Sequence, residues 1–178
     1  MFSIHIEPPE LYDEANDEFI TVNPEILELE HSLVSISKWE SRWCKPFLAK
    51  GEKSYEESVD YIFCMTLNKV DPEIYKYISY SDVTKVTKYM EASMTATTFP
   101  KNNDKTSSEI ITSEIIYYWM VALNIPFECQ TWHLNRLLTL VNVVNIKQSP
   151  PKKMGKKETL SRNAQLNAAR KAQMNTKG

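Results

Sequence analysis

The sequence predicts an α+β protein that is mainly α-helical. A small N-terminal β-hairpin or meander occupies residues 1–33, a helical body with a central helical hairpin residues 34–148, and a basic arm residues 149–178. Three observations predict it. Glu109 to Lys147, EIITSEIIYYWMVALNIPFECQTWHLNRLLTLVNVVNIK, is the densest run of large apolar residues and keeps helical spacing along its length. Three glycines against nine prolines suit helices better than a sandwich or barrel, which needs more turn glycines. From Ser149 onward eight basic residues face one acid, so an arm of +7 follows a body of −9 inside a net charge of −2.

At the N-terminus Phe2, Ile4 and Ile6 alternate with Ser3, His5 and Glu7, the period of a half-buried strand, and Pro8-Pro9 ends it. The acidic segment Leu11 to Glu18 reads as a turn and Phe19 to Val22 as a returning strand. Leu27, Leu29, His31 and Leu33 alternate like a strand, while Ile26, Leu29, Leu33 and Ile36 also fit a helix. The reading adopted is a third strand entering a helix near Val34, carried by Ile36, Trp39, Trp43 and Phe47 and closed by Pro46. Ser54 to Glu57 fits a capping box, opening a helix with Val59, Ile62, Phe63 and Leu67 inward. Asp71-Pro72 predicts a capped short helix to Ile78, and Ser81 a cap for the next, on Val83, Val86 and Met90. Met94 to Thr106 reads as a loop.

The central hairpin starts at a second capping box, Thr106 to Glu109. Ile111, Ile115, Tyr118, Trp119 and Ala122 form one stripe and Ile116, Met120 and Leu123 an adjoining one. Together they predict a mostly buried helix. Asn124-Ile125-Pro126 stops it, and Leu134, Leu137, Leu138, Val141 and Val144 line the helix that follows. In the arm, residues 155–174 are good helix formers with Ala164, Ala168 and Ala172 on one face. That face is too small to offset chain ordering alone, so the arm is expected to become helical when docked.

Chemistry is sparse. Three cysteines without CxxC spacing argue against a disulfide or zinc framework and for reduced thiols. Cys129 and His133 are four apart, the start of a metal site at best, and no third ligand is near; a buried thiol beside a hydrogen-bonded histidine is the favoured reading. Glu28 and Glu30 could pair on one strand face, but a solvated edge is favoured. No GxSxG or GxxxxGK pattern occurs, so neither an enzyme nor a cofactor is expected. The start, MFSIHIEPPELYDE, lacks signal-peptide features and no run of about eighteen apolar residues exists, so a soluble intracellular protein is expected. The four tryptophans sit at helical spacing among aliphatics and read as core before binding anchors. Met120 to Phe127 followed by Gln130 to Leu137 resembles a helix-turn-helix, with Gln130, Asn135 and Arg136 suited to base edges. A −9 body with Arg136 as its lone basic residue between Glu109 and Ile146 disfavours nucleic acid.

What remains is the arm. Lys152, Lys153, Lys156, Lys157, Arg162, Arg170 and Lys171 form a candidate partner-binding site, with charge supplying attraction. Leu29 to Leu48 (LEHSLVSISKWESRWCKPFL), Met94 to Phe99 (MTATTF), Ile111 to Leu138 and the closing SPPKKMGKKE and RNAQLNAARKAQMNTKG resemble the tail assembly chaperones of tailed bacteriophages. The resemblance implies a non-catalytic factor in the host cytoplasm, with no cofactor and no membrane. It would keep the tape measure protein soluble and bring tail tube protein to it. A structural tail or connector protein of the virion, and the helix-turn-helix DNA binder, are the alternatives.

Overall fold

A computed structural model describes residues 1–9, 11–13, 17–20, 23–99, 110–149 and 156–174; for residues 11–13, 18–20 and 156–159 only the backbone is described. Among them it is mainly helical with a small antiparallel N-terminal β unit, as the sequence predicts. The chain divides into two compact units, Met1–Ile146 and Lys147–Gly178.

In the first unit, β1 (Phe2–Ile6) pairs antiparallel with β4 (Glu25–Leu29), Ile4 opposite Leu27. A second antiparallel pair, β2 (Leu11–Asp13) with β3 (Glu18–Ile20), is nested between them. Of the expected return, Phe19 and Ile20 lie in this inner pair and residues 21 and 22 outside the described residues; Leu11 to Asp13, read as part of a turn, is its other strand, and the partner of the first strand comes later in the chain. The reason is periodicity: Ile4 and Ile6 match Leu27 and Leu29, all four buried, whereas Phe19 to Val22 is a run without clean alternation. On its other edge β4 receives the chain leaving the second helix. The Leu67 amide donates to the Glu28 carbonyl (2.8 Å) and the Glu30 amide to the Met65 carbonyl (3.1 Å). The Asn68 side chain extends this ladder, donating to the Ile26 carbonyl (2.8 Å) and accepting from the Glu28 amide (2.9 Å).

Helix α1 (Leu33–Trp43) is the hub. Ser32 caps it, its hydroxyl accepting from the Ser35 amide, and Cys44 ends it in the left-handed conformation two residues before Pro46. Leu33, Ile36 and Trp39 point into the core at helical spacing. Around α1 pack α2 (Tyr55–Met65), α4 (Ser113–Ala122) and a 3₁₀ turn, Phe127–Thr131.

The Ser54–Glu57 capping box is present on α2 in both directions. Ile62 is buried as expected, together with Tyr61, Cys64 and Met65 among its apolar residues, while Phe63 and Leu67 face outward, Leu67 lying beyond the helix. The segment after Asp71 is a 3₁₀ helix, Pro72–Tyr77, capped by Asp71 as expected. Helix α3 (Tyr80–Glu91) is capped by Ser79, not Ser81, because only Ser79 has an acid three residues on: Asp82 completes a capping box.

Helix α4 begins at Ser113, later than expected; the Thr106–Glu109 box lies outside the described residues. Its buried stripe is Ser113, Ile116 and Met120, with Ile111, Trp119 and Leu123 partly covered and Tyr118 and Val121 outward. Only one face of α4 meets α1, so the broad burial read from its two stripes is not realised. Asn124 at φ 53° turns the chain, and α5 (Leu134–Gln148) then buries Leu134, Leu137 and Val141. Both hairpin helices are there, but the close helix partner of α4 is α1.

The second unit holds one described helix, α6 (Lys156–Met174). No helix among the described residues is long and apolar enough to cross a membrane.

Candidate functional site

Lys152 and Lys153 lie outside the described residues, and Lys156 and Lys157 open α6 with only their backbone described. Arg162, Arg170 and Lys171 sit on α6 with exposed side chains, as does every residue from Leu160 to Met174. At about 100° per residue, Arg162 and Arg170 are roughly 80° apart, and Lys171 falls beside the Ala164–Ala168–Ala172 face. The described cations are therefore distributed around the rod rather than gathered on one face.

In the body, buried polar groups gather where α1, α2, α3 and α5 converge. His31 Nδ1 shares a 2.6 Å hydrogen bond with the Tyr61 hydroxyl, and the His31 and His133 rings meet edge to face at 5.1 Å. The Asn135 amide donates to His133 Nδ1 (3.3 Å), so the proton resides on Nε2, which donates to the Tyr89 carbonyl (3.2 Å). The Tyr89 hydroxyl donates to Glu30 (2.6 Å), whose other oxygen pairs with the Met1 ammonium (2.8 Å). Glu30 is thus held by two partners rather than by Glu28. Among the described residues no buried side-chain polar atom lacks a hydrogen-bond partner.

Burial pushes His31 down to about 3, with nearby His133 adding to the effect, and burial also lowers His133. Both are neutral at pH 7. Unfolded, each would titrate near 6.5, so below that pH the unfolded chain gains protons that the folded chain refuses. Stability is expected to fall as pH drops from about 6.5 toward 3, by roughly 1.4 kcal/mol per pH unit from His31 alone. Urea unfolding at about pH 7 and pH 5 measures this; equal free energies at the two would show that His31 is not held neutral.

Cys129 and His133 are both buried and His133 is hydrogen-bonded, the favoured reading of the pair, and the two do not share one helix. Cys129 belongs to the 3₁₀ turn and His133 follows an extended Trp132, so the helical spacing of four is broken between them. His133 is spent on Tyr89 and Asn135. Two of the three residues read as base-edge contacts are also bonded internally. Asn135 Nδ2 donates to the Met90 and Ala92 carbonyls at the end of α3 (2.9 and 2.8 Å), and Gln130 accepts from the Tyr117 hydroxyl (2.9 Å). Arg136 lies over the Trp132 ring at 3.9 Å. Of the tryptophans, Trp39 is fully buried and Trp43, Trp119 and Trp132 are partly covered.

No protein-family model matches the chain, and neither a curated protein nor a solved structure matches it.

Proposed function

We propose that the protein is a non-catalytic assembly factor that captures partner proteins through its basic arm. In the setting implied by the resemblance it is a bacteriophage tail assembly chaperone, holding tape measure protein and presenting tail tube protein in the host cytoplasm. The observation that carries the partner-binding reading is α6: nineteen residues of helix with every described side chain exposed. Most helical stability in proteins comes from tertiary packing of one face, so a helix with no covered face gains by docking on a partner. Its distributed cations favour an acidic surface, and the attraction is screened by salt.

Co-expression with the tape measure protein tests the reading. The full chain is expected to raise tape measure solubility and to co-purify with it. Truncation after Ser149 should weaken that capture while leaving the melting temperature of the body nearly unchanged. At about 1 M salt, where the Debye length falls to roughly 3 Å, capture through exposed charge should largely disappear. Capture that survives truncation, or a body that melts without the arm, would reject the arm as the binding element. Stoichiometric protein in purified virions would instead favour a structural tail component.

A further inference from the structure

Cations collect on one face of an otherwise acidic body. Lys38 and Arg42 are one turn apart on α1 and project to the same side. The strand-like return along β4 brings Lys69 to them, and the three line a hollow of about 480 Å³. Among the described residues no carboxylate lines it, and neither Lys38 nor Lys69 has a carboxylate at ion-pair distance. Phe63, Pro72 and Tyr75 form its apolar part.

A second hollow of about 430 Å³ adjoins the first, sharing Arg42, Phe63, Pro72 and Tyr75 and extending to Tyr55 and Val59. The ridge between the two is Phe63, an outward aromatic side chain, 44% exposed. It is supported rather than loose. The Tyr75 ring meets it edge-on at 5.2 Å and the Arg42 guanidinium lies 5.0 Å from its centre. Tyr75 in turn donates to Thr66 (2.9 Å), and Arg42 pairs with Asp60 (2.8 Å), whose other oxygen accepts from Trp43 Nε1 (2.8 Å).

We propose that the two hollows form one binding site for an acidic peptide segment of a partner protein. A carboxylate is held by Lys38, Arg42 and Lys69, and a neighbouring large apolar side chain rests against Phe63 and Tyr75. Charge complementarity selects the occupant. The cationic hollow attracts a carboxylate, while the second, lined by Glu56 and Asp60 along with Arg42 and Lys76, carries no net charge to hold the further phosphates of a nucleic-acid backbone. An apolar wall beside a few placed polar groups is the usual composition of a specific site. This site is built on the body, and the arm binding proposed above does not depend on it.

Fluorescence anisotropy on the full chain tests it, with a fluorescein-labelled synthetic peptide of alternating glutamate and leucine as probe. Labelled lysine–leucine peptide and labelled oligothymidine are the controls. Because the arm also attracts acid, Arg170→Glu with Lys171→Glu serves as the arm variant. Lys38→Glu with Lys69→Glu is expected to weaken the acidic peptide about tenfold or more, the arm variant much less. Phe63→Ser should weaken it several-fold even at high salt, since that contact is apolar. These side chains are exposed, and circular dichroism checks each fold; Lys38→Gln with Lys69→Gln replaces a reversal that fails to fold. The proposal is overturned if the lysine peptide binds equally well, if the loss follows the arm variant alone, or if Phe63→Ser is silent. It is equally overturned if oligothymidine binds more tightly and is the probe lost on reversal.

Discussion

Trp39→Ala is expected to destabilise the protein by roughly 3–5 kcal/mol, the range for emptying a large aromatic site in a core. The side chain is 2% exposed at the junction of α1 and α2. Its indole stacks on Trp43 with centroids 6.0 Å apart and meets the edge of Phe47 at 5.1 Å. Its Nε1 donates to the Glu57 carbonyl (2.9 Å), tying α1 to the first turn of α2. Alanine removes all of these and leaves a cavity lined by rings too rigid to collapse into it. Trp39→Phe keeps much of the volume and forfeits the hydrogen bond, so it should cost clearly less. Urea titration of the three proteins measures both. An alanine variant within about 1 kcal/mol of the parent would mean that the site repacks, and that α1 is not the hub of the core.

Glu40→Ala should be nearly as damaging, for a different reason. The Glu40 carboxylate is buried, and its two oxygens accept from two backbone amides far apart in sequence: Phe47 at 2.7 Å and Ser113 at 2.8 Å. The second amide belongs to the first turn of α4, whose own cap residue, Thr112, makes no side-chain bond to cap the helix. A carboxylate from α1 thus caps α4, and its charge complements the positive end of that helix dipole. Removing it leaves two buried N–H groups unpaired, at about 1–3 kcal/mol each, so a loss of roughly 3–5 kcal/mol is expected. Glu40→Gln keeps one acceptor oxygen but turns an NH₂ group toward an N–H, and should fall between the two. Amide exchange at Ser113, read alongside urea unfolding, tests the geometry. A glutamine variant as stable and as protected as the parent would rule out the two-oxygen bridge.

The two cases divide along the line between local and distant. Sequence periodicity foretold that Trp39 is core, since Ile36 and Trp39 repeat at helical spacing. Nothing local foretells Glu40, because its partner lies 73 residues on. The same division runs through the candidate sites. The charge of the arm was legible from composition alone; its residues were read as good helix formers, but a helix was expected only on docking, whereas α6 is helical with every described side chain exposed. Lys38 and Arg42 were legible as neighbours one turn apart on a helix. Lys69 joins them only because Thr66 to Asn68 pairs along β4, and Phe63 was misread as inward because period alone does not say which face of α2 meets the core. Ser79 was missed where a signal existed: its serine-to-acid spacing to Asp82 is the capping-box pattern that Ser81 lacks.

What the sequence determined by itself is whatever closes within a turn or two of chain. That includes the strand alternation of Ile4, Ile6, Leu27 and Leu29, the reciprocal cap of Ser54 and Glu57, the Asp71–Pro72 start, the Leu134–Leu137–Val141 stripe, and the change of charge after Ser149. Each depends on steric and hydrogen-bond preferences set by residues at most a few positions away. Tertiary structure alone decided which strand pairs with β1, which stripe of α4 is covered, and where the buried polar groups find partners. Those choices depend on the competition among faces for one core, and on the cost of leaving a buried donor or acceptor unpaired. His31 therefore bonds to Tyr61, Glu40 to Ser113 and Asn135 to the end of α3, three links that span thirty residues or more and that no local pattern encodes.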